Sequence, residues 1–416
     1  MLGFGPFTIH KFNQEVVFME KKAKLERNLK LYAWFQMFRE PLFWGPIAVK
    51  YMCEVSGMSL PELFFAEAVA LLGVAVMEVP TGSLADHIGR KKTLMLGTAT
   101  IICYMLVFAF ANSPRDIWIG NFLWVIGFTL CSNADNALLY DSLLESKEKR
   151  DIESLLKEIE GKAYGRRYLV MAGTSLLAGV LYDLDPRLTL LFSMPGIAIS
   201  FVLTCFLEEP LKTESYRITR QLAIVWNGTK SAASSPIILW IIGFMVLLNV
   251  SSLIWFFCYN PYFDLVKLDV KKFGVIFSFM NLIAWFFSVY SHSLEKKVGA
   301  KASILGMFVL IGAPIYLMGS FVSIYSIGLV TLQNVVRGFM LPFFSYFLNR
   351  YVSSEIRATV NSLRSAAIGF GGFVGLGVFE FLLKSNPLEF GLQVLGIGVL
   401  ASGAIFIFWH GKLFRE

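Results

Sequence analysis

The feature that most constrains this chain is a succession of apolar stretches, each about as long as a bilayer is thick. About twelve can be read along the 416 residues: 29–54, 61–82, 93–112, 117–141, 163–182, 188–207, 236–262, 273–293, 302–322, 324–350, 359–383 and 388–410. A helix of about twenty residues, rising 1.5 Å per residue, crosses a hydrocarbon core roughly 30 Å deep and satisfies its own backbone groups there. Only 16% of the residues are charged, whereas a soluble domain carries about 25%. The chain is therefore expected to be an all-α polytopic membrane protein. On one side the connections are very short (Asn112–Asp116, Tyr182–Arg187, Lys384–Pro387), so no domain is expected beyond the membrane there.

The net charge of +7 would suit an anionic partner such as nucleic acid, but its distribution argues otherwise. With both termini in the cytoplasm, 27 Lys and Arg fall on the cytoplasmic face, 7 on the outer face and 3 inside the membrane. That asymmetry is the positive-inside rule, so the charge reports orientation, and the partner it implies is the lipid bilayer of a cell's inner (cytoplasmic) membrane. The five cysteines (Cys53, Cys103, Cys131, Cys205, Cys258) lie singly in or near apolar runs and read as packing residues. No cleavable leader is expected. Residues 1–28 form a cytoplasmic segment, either a short interfacial helix or a simple tail. Glu145–Lys162 alternates Lys and Glu and reads as a surface helix. The polar stretch 208–235 is a cytoplasmic linker dividing a six-span unit, 29–207, from a second, 236–410, before a tail at 411–416. The protein is expected to be a monomer.

One connection is distinctive: Gly82-Ser83-Leu84-Ala85-Asp86-His87-Ile88-Gly89-Arg90-Lys91-Lys92. Its glycines permit a tight turn, Asp86 can accept from Arg90 four residues on, and three cations end it. The string resembles the signature loop between the second and third helices of the major facilitator superfamily of secondary transporters, G-x-L-a-D-x-x-G-r-k-x-x. The preceding Glu78-Val79-Pro80-Thr81 resembles one bacterial branch of that family, and the Arg357-Ala358-Thr359-Val360-Asn361-Ser362-Leu363 opening of span eleven also resembles the superfamily. The resemblance covers residues 29–410. It implies twelve transmembrane helices in two pseudo-symmetric six-helix bundles around a central cavity. It also implies a cytoplasmic gate in which Gly82, Asp86, Gly89 and Arg90 join Asp141, at the inner end of span four, against the start of span eleven; Arg364 there is expected to pair with an inner-end acid. An internal echo agrees: Ser293–Lys301 aligns with Ser83–Lys91 at an offset of 210 residues (299 minus 89), with Lys296 where Asp86 stands. Two departures weaken an assignment as a drug/proton antiporter. Asn121 occupies the region of span four where such members often carry Arg, and Ala172–Gly179 in span five lacks a Gly-Pro pair.

Polar groups at lipid depth are costly and usually face a cavity or a partner. In span one, Tyr32, Gln36 and Arg39 share a helix face, Glu40 points about 100° away, and Pro41 invites a kink. Arg39 is a candidate anchor for an anionic solute or counter-ion of a carboxylate, and Glu40 a candidate proton carrier; a structural ion pair is the plainer alternative. Span four offers Asp135 as a titrating acid beside Asn136. The second unit offers Asn249, the offset counterpart of Arg39, and Asn334 and Arg337 in span ten. In span two, Glu67 reads as near-interfacial and Glu78 as a partner of the signature loop. Aromatic residues, 15% of the chain, mostly pack between helices or face lipid at such spacings.

Enzymatic classes lack their residues. The four histidines (His10, His87, His292, His410) lie at helix ends or in tails, no metal-binding or nucleophile motif appears, and no Walker loop exists. No cofactor and no metal are expected. The expected function is proton-coupled secondary transport of a small organic solute by alternating access, as an exporter. Uptake of an anionic metabolite is the alternative, and a transporter-like sensor without flux is a third possibility.

Overall fold

The structure, a computed structural model, describes residues 6–146, 152–210, 235–351 and 354–413. These hold fourteen α-helices: α1 Pro6–Phe38, α2 Ala48–Glu54, α3 Leu60–Ile88, α4 Arg90–Ala109, α5 Pro114–Ser146, α6 Ile152–Leu184, α7 Leu188–Cys205, α8 Pro236–Leu265, α9 Val270–Val289, α10 Ser291–Val298, α11 Ala300–Ser320, α12 Ile327–Tyr351, α13 Ser354–Ser385 and α14 Leu388–Leu413. Taking α1 with α2 as one interrupted rod and α10 as a short connector, they make the twelve expected rods. Nine helices among the described residues are long and apolar enough to cross a membrane. The three rods that fall short are α1–α2, α6 and α12, and these carry Arg39, Arg167 and Arg337.

Three expectations change in detail. The first span is not one kinked helix. α1 ends at Phe38, and a 3-10 turn over Gly45–Ile47 precedes α2. Pro41 and Pro46 lack the N–H that would continue the ladder, so the chain breaks instead of bending. Residues 6–28 form no separate interfacial helix; they are the first turns of α1. Nor is there a detached surface helix over 145–162. α5 runs to Ser146, α6 starts at Ile152 as an extension of span five, and the residues between lie outside those described.

The repeat is legible in the backbone. Gly89 and Gly299 both adopt positive φ (102° and 83°), where a Cβ would be strained, and each turns the chain into the next helix. The hydroxyl of Thr93 donates to the Gly89 carbonyl at 2.8 Å, and that of Ser303 to the Gly299 carbonyl at 2.9 Å. Tyr51 donates to the Phe108 carbonyl at 2.6 Å, and Tyr262 to the Met318 carbonyl at 3.1 Å. These pairs tie equivalent rods together in the two bundles.

The bundles meet through α3 against α13, α6 against α9, and α2 against α8. The tightest approach is between α6 and α9. A Cβ on Gly274 would lie 2.0 Å from the Ser175 carbonyl oxygen, and one on Gly179 would lie 2.2 Å from that of Val270. The rings of Phe64 and Phe379 pack at a tilt, their centroids 5.0 Å apart, between α3 and α13. Gly369 and Gly372 of α13 face α3, whereas Gly371 and Gly375 face valines of α8, so the glycine run serves two neighbours. Ion pairs reinforce the face opposite the Gly82–Lys92 loop: Lys50 with Asp264 at 2.7 Å and Lys271 with Asp183 at 3.0 Å. We call this the far face; the two bundles are in contact across it.

Candidate functional site

The break in the first rod positions the site. Arg39 makes the last α-helical hydrogen bond, to the Phe35 carbonyl, and Trp44 closes a turn on Pro41. Irregular backbone at membrane depth requires partners from neighbouring rods. Here Ser193 of α7 accepts from the Phe43 N–H at 3.1 Å, and Thr174 of α6 donates to the Leu42 carbonyl at 2.8 Å. Asn260 of α8, in the other bundle, accepts from the N–H groups of Val49 and Lys50 at 3.1 Å and donates to the Pro46 carbonyl at 2.8 Å. The non-helical segment is thus held from three sides.

At the end of α1 a connected set of charges and amides is gathered, most of it buried. Arg39 forms an ion pair with Asp135 of α5; their side chains are 9% and 4% exposed. Gln36 donates to Asp135 at 2.7 Å and to the Tyr32 hydroxyl at 3.0 Å, and Tyr32 donates to Asn136 at 2.7 Å. The Asn136 N–H donates to the second Asp135 oxygen at 2.6 Å. Glu40 stands 3.6 Å from the Arg39 Nε and accepts from Arg167 of α6 at 3.2 Å. The chain Asp135–Arg39–Glu40–Arg167 is electrically balanced, two acids with two bases, and links α5, the break and α6. A proton arriving at either acid unbalances it and frees an arginine, which is the chemical property such a chain offers.

In the second bundle, Arg337 of α12 donates to Asn281 of α9 and lies over the Tyr168 ring of α6, 5.4 Å from its centroid. Tyr168 adjoins Arg167, so α6 touches both charged regions. Asn249 does not join either: its amide donates to its own helix, at the Met245 carbonyl (2.8 Å), and to the Met340 sulfur at 3.7 Å. Asn334 likewise donates to the Val330 carbonyl one turn back, at 3.1 Å.

At the loop face, Arg90 pairs with Asp86 at 3.0 Å and approaches Asp141 at 3.5 Å. Gly82 packs on Asn133 and Gly89 makes the turn. Glu209 completes the cluster: its two oxygens accept from the backbone N–H groups of Arg90 and Lys91 at 2.7 and 2.8 Å, capping α4. Among the described residues no carboxylate pairs with Arg364, whose Nε is buried without a partner. The docking expected at the start of span eleven falls on side chains outside those described. Among the described residues Glu78 does not pair with the loop either; its carbonyl accepts from Asn133 and Thr81. Glu67 is not merely interfacial, since Asn121 donates to it at 3.1 Å.

Five contributors escaped the sequence reading: Arg167, Tyr168, Glu209, Asn260 and Asn281. Arg167 follows Arg166 where span five was expected to begin, so both looked like cytoplasmic anchors. Asn281 did carry a signal, as a lone amide inside an apolar run.

Comparison with known proteins agrees with this architecture. No family model matches the chain. It is 31% identical over 137 residues to an uncharacterized MFS-type transporter, MJ1317, of Methanocaldococcus jannaschii, a match covering 32% of this chain and 31% of that one. It is 30% identical over 103 residues to the multidrug resistance protein MdtL of Klebsiella pneumoniae, covering 25% of this chain and 26% of MdtL. Each match thus spans about a third or less of its relative's length. Among solved structures, the nucleoside transporter NupG superposes with a TM-score of 0.71 at 15% identity, covering 94% of this chain and 99% of NupG. A bacterial homologue of the human lysosomal transporter Spinster, in an inward-facing conformation, gives 0.70 at 14% identity over 95% and 98%. The class is therefore an integral membrane protein with the major facilitator fold, two six-helix bundles facing one another. The resemblance carried by the Gly82–Lys92 loop extends to the whole chain at the level of fold.

Proposed function

We propose that the protein is a secondary active transporter that moves a small organic solute by rocking its two bundles about a midplane site. The observation that carries this reading is the broken first rod. It brings Arg39 and Glu40 against Asp135 and Arg167, and interrupted helices are a recurrent way of building a midplane site. Proton coupling follows from the same chain. Protonation of Asp135 discharges the partner of Arg39, and the freed guanidinium then holds either Glu40 or solute, so proton and solute occupancy are linked. The loop face is cytoplasmic, as are both termini, in a cell's inner membrane, and the protein works as a monomer.

Export is the first reading of direction, supported by the segment shared with the multidrug resistance protein MdtL. Uptake of an anionic metabolite is the second, favoured by Arg337, which has no carboxylate partner among the described residues. The test is flux of a solute panel in proteoliposomes under an imposed pH gradient. Wild type is compared with Glu40→Gln and Asp135→Asn. Gradient-driven flux is expected in the wild type and lost in Asp135→Asn, with gradient-free counterflow retained. Undiminished driven flux in both variants would overturn the coupling assignment.

A further inference from the structure

Among the described residues the second bundle holds a cation, Arg337, with no carboxylate partner. Arg337 lies ten residues into α12, about 15 Å from its first residue. Among the described residues its polar contacts are the Asn281 side-chain oxygen and the Tyr168 ring. Neither carries a formal charge. The first bundle balances every midplane arginine with an acid; this one does not. An arginine at membrane depth without a counter-ion is costly, and an amide with one aromatic face offsets only part of that cost.

Around it, three buried amides are also unsatisfied. Asn281 is 0% exposed and its Nδ2 has no partner; Gln333, 4% exposed, lacks partners at both Nε2 and Oε1; Asn334, 1% exposed, lacks one at Oδ1. Gln333 and Arg337 are four residues apart and so share a face of α12. The Asn281 oxygen is taken by Arg337, which leaves its N–H donors beside the guanidinium. Buried groups of this kind are usually paired in a finished structure, and four unpaired amide atoms around one cation mark a place where something else completes the set.

We infer that Arg337, Asn281 and Gln333 form the binding subsite for a carboxylate group, and that the transported solute is a monocarboxylate. This rests on the transport reading above and adds the chemical class of the solute. A guanidinium presents two parallel N–H groups to the two oxygens of a planar carboxylate, and the Asn281 amide supplies a third donor. A single negative charge leaves the site neutral. A phosphate dianion would leave one negative charge at low dielectric, and the neighbouring Arg167 is already engaged by Glu40. Gln333, with both its amide N–H donors and its oxygen free, suits a hydroxyl or amide elsewhere on the solute. Tyr168 places this subsite next to Arg167, so solute binding and the Glu40 end of the ion chain are neighbours through one turn of α6.

The experiment is calorimetric titration of the full-length protein in lipid nanodiscs with matched probes: phenylacetate, phenylacetamide and phenyl phosphate; indole-3-acetate and its amide; hexanoate and its amide. At least one carboxylate is expected to bind about tenfold or more tightly than its amide and than the phosphate. Arg337→Gln should bring carboxylate and amide within about twofold. Arg337→Lys should keep part of the preference, as a point charge does without the fork. Thermal melting separates binding from structure: removing an uncompensated charge leaves the Arg337→Gln melting temperature equal to or above wild type, whereas a structural ion-pair partner would lower it. The inference is overturned if no carboxylate is preferred or bound, if the preference survives in Arg337→Gln, or if that variant is destabilised. Failure of the transport reading looks different: carboxylate binding with no counterflow in liposomes.

Discussion

Asp135→Asn tests the architecture of the first bundle most directly. The substitution keeps shape but removes the charge facing Arg39, and the two side chains are 4% and 9% exposed, so solvent cannot replace the lost partner. Removing one member of a buried pair costs about 3–5 kcal/mol, because the other charge remains buried. Asp135 also accepts from Gln36 and from the Asn136 N–H, and an asparagine NH2 would set donor against donor with one of them or with Arg39. Against this, Glu40 is 34% exposed and only 3.6 Å from Arg39, so it can turn to take over part of the pairing. The net expectation is about 3 kcal/mol, the low end of that range. The double variant Arg39→Gln/Asp135→Asn removes both charges and should recover about 2 kcal/mol of the loss as coupling between neighbours. The assay is reversible unfolding of purified protein in mixed micelles, run as a complete double-mutant cycle beside Arg39→Gln alone. A single variant within about 0.5 kcal/mol of wild type would refute the claim that the pair is buried and coupled. So would a double variant no more stable than the worse single; the break in the first rod would then hold without its ions.

Gly274→Val places side-chain carbon where the Ser175 carbonyl already sits, 2.0 Å from an added Cβ. The α6–α9 contact should open by roughly 1 Å or more at that level, and spin-label distances across the far face should lengthen relative to wild type. Asn260→Leu strands two α2 N–H groups and the Pro46 carbonyl; stability should fall by about 2–4 kcal/mol, and hydrogen exchange at Val49 and Lys50 should accelerate. Glu209→Ala uncaps α4 and should cost about 1 kcal/mol, with Glu209→Gln milder because a neutral acceptor remains; melting temperatures of the two variants give the ranking.

Much of this was legible because hydrocarbon permits few solutions. Runs of about twenty apolar residues leave the backbone little choice but helix, so the rods and their order follow from hydropathy. The Gly89 turn was legible too, since its spacing to Arg90 and Asp86 is local. What escaped depends on contacts between distant segments. Arg167 reads as a topogenic charge until α6 is seen packed beside the break, 127 residues from Glu40 in sequence. Asn260 reads as a polar residue near a helix end until its amide is seen clasping the backbone of another rod. The break itself was half legible: Pro41 signalled a defect, but a kink and a full interruption differ only in whether neighbours supply partners for the freed groups, and Ser193 and Thr174 supply them.

The two bundles share a frame and differ in chemistry, and the difference has one local origin. Tyr51 and Tyr262 anchor equivalent rods, and Gly89 and Gly299 turn equivalent corners. At the offset of 210 residues, however, Ser251 stands where Pro41 stands (251 minus 41), and α8 runs unbroken from Pro236 to Leu265. Ser251 keeps its N–H in the ladder and its hydroxyl donates to the Leu247 carbonyl of its own helix at 2.7 Å, so nothing forces that rod apart. At position 249, equivalent to Arg39, α8 carries an asparagine that satisfies itself within α8 and against Met340. The first bundle gathers a balanced chain of ions at a break in its first rod. In the second, Arg337 stands on an unbroken helix with no carboxylate partner among the described residues. α6 touches both regions, because Arg167 and Tyr168 are consecutive: the first pairs with Glu40 at the break and the ring of the second lies beneath Arg337.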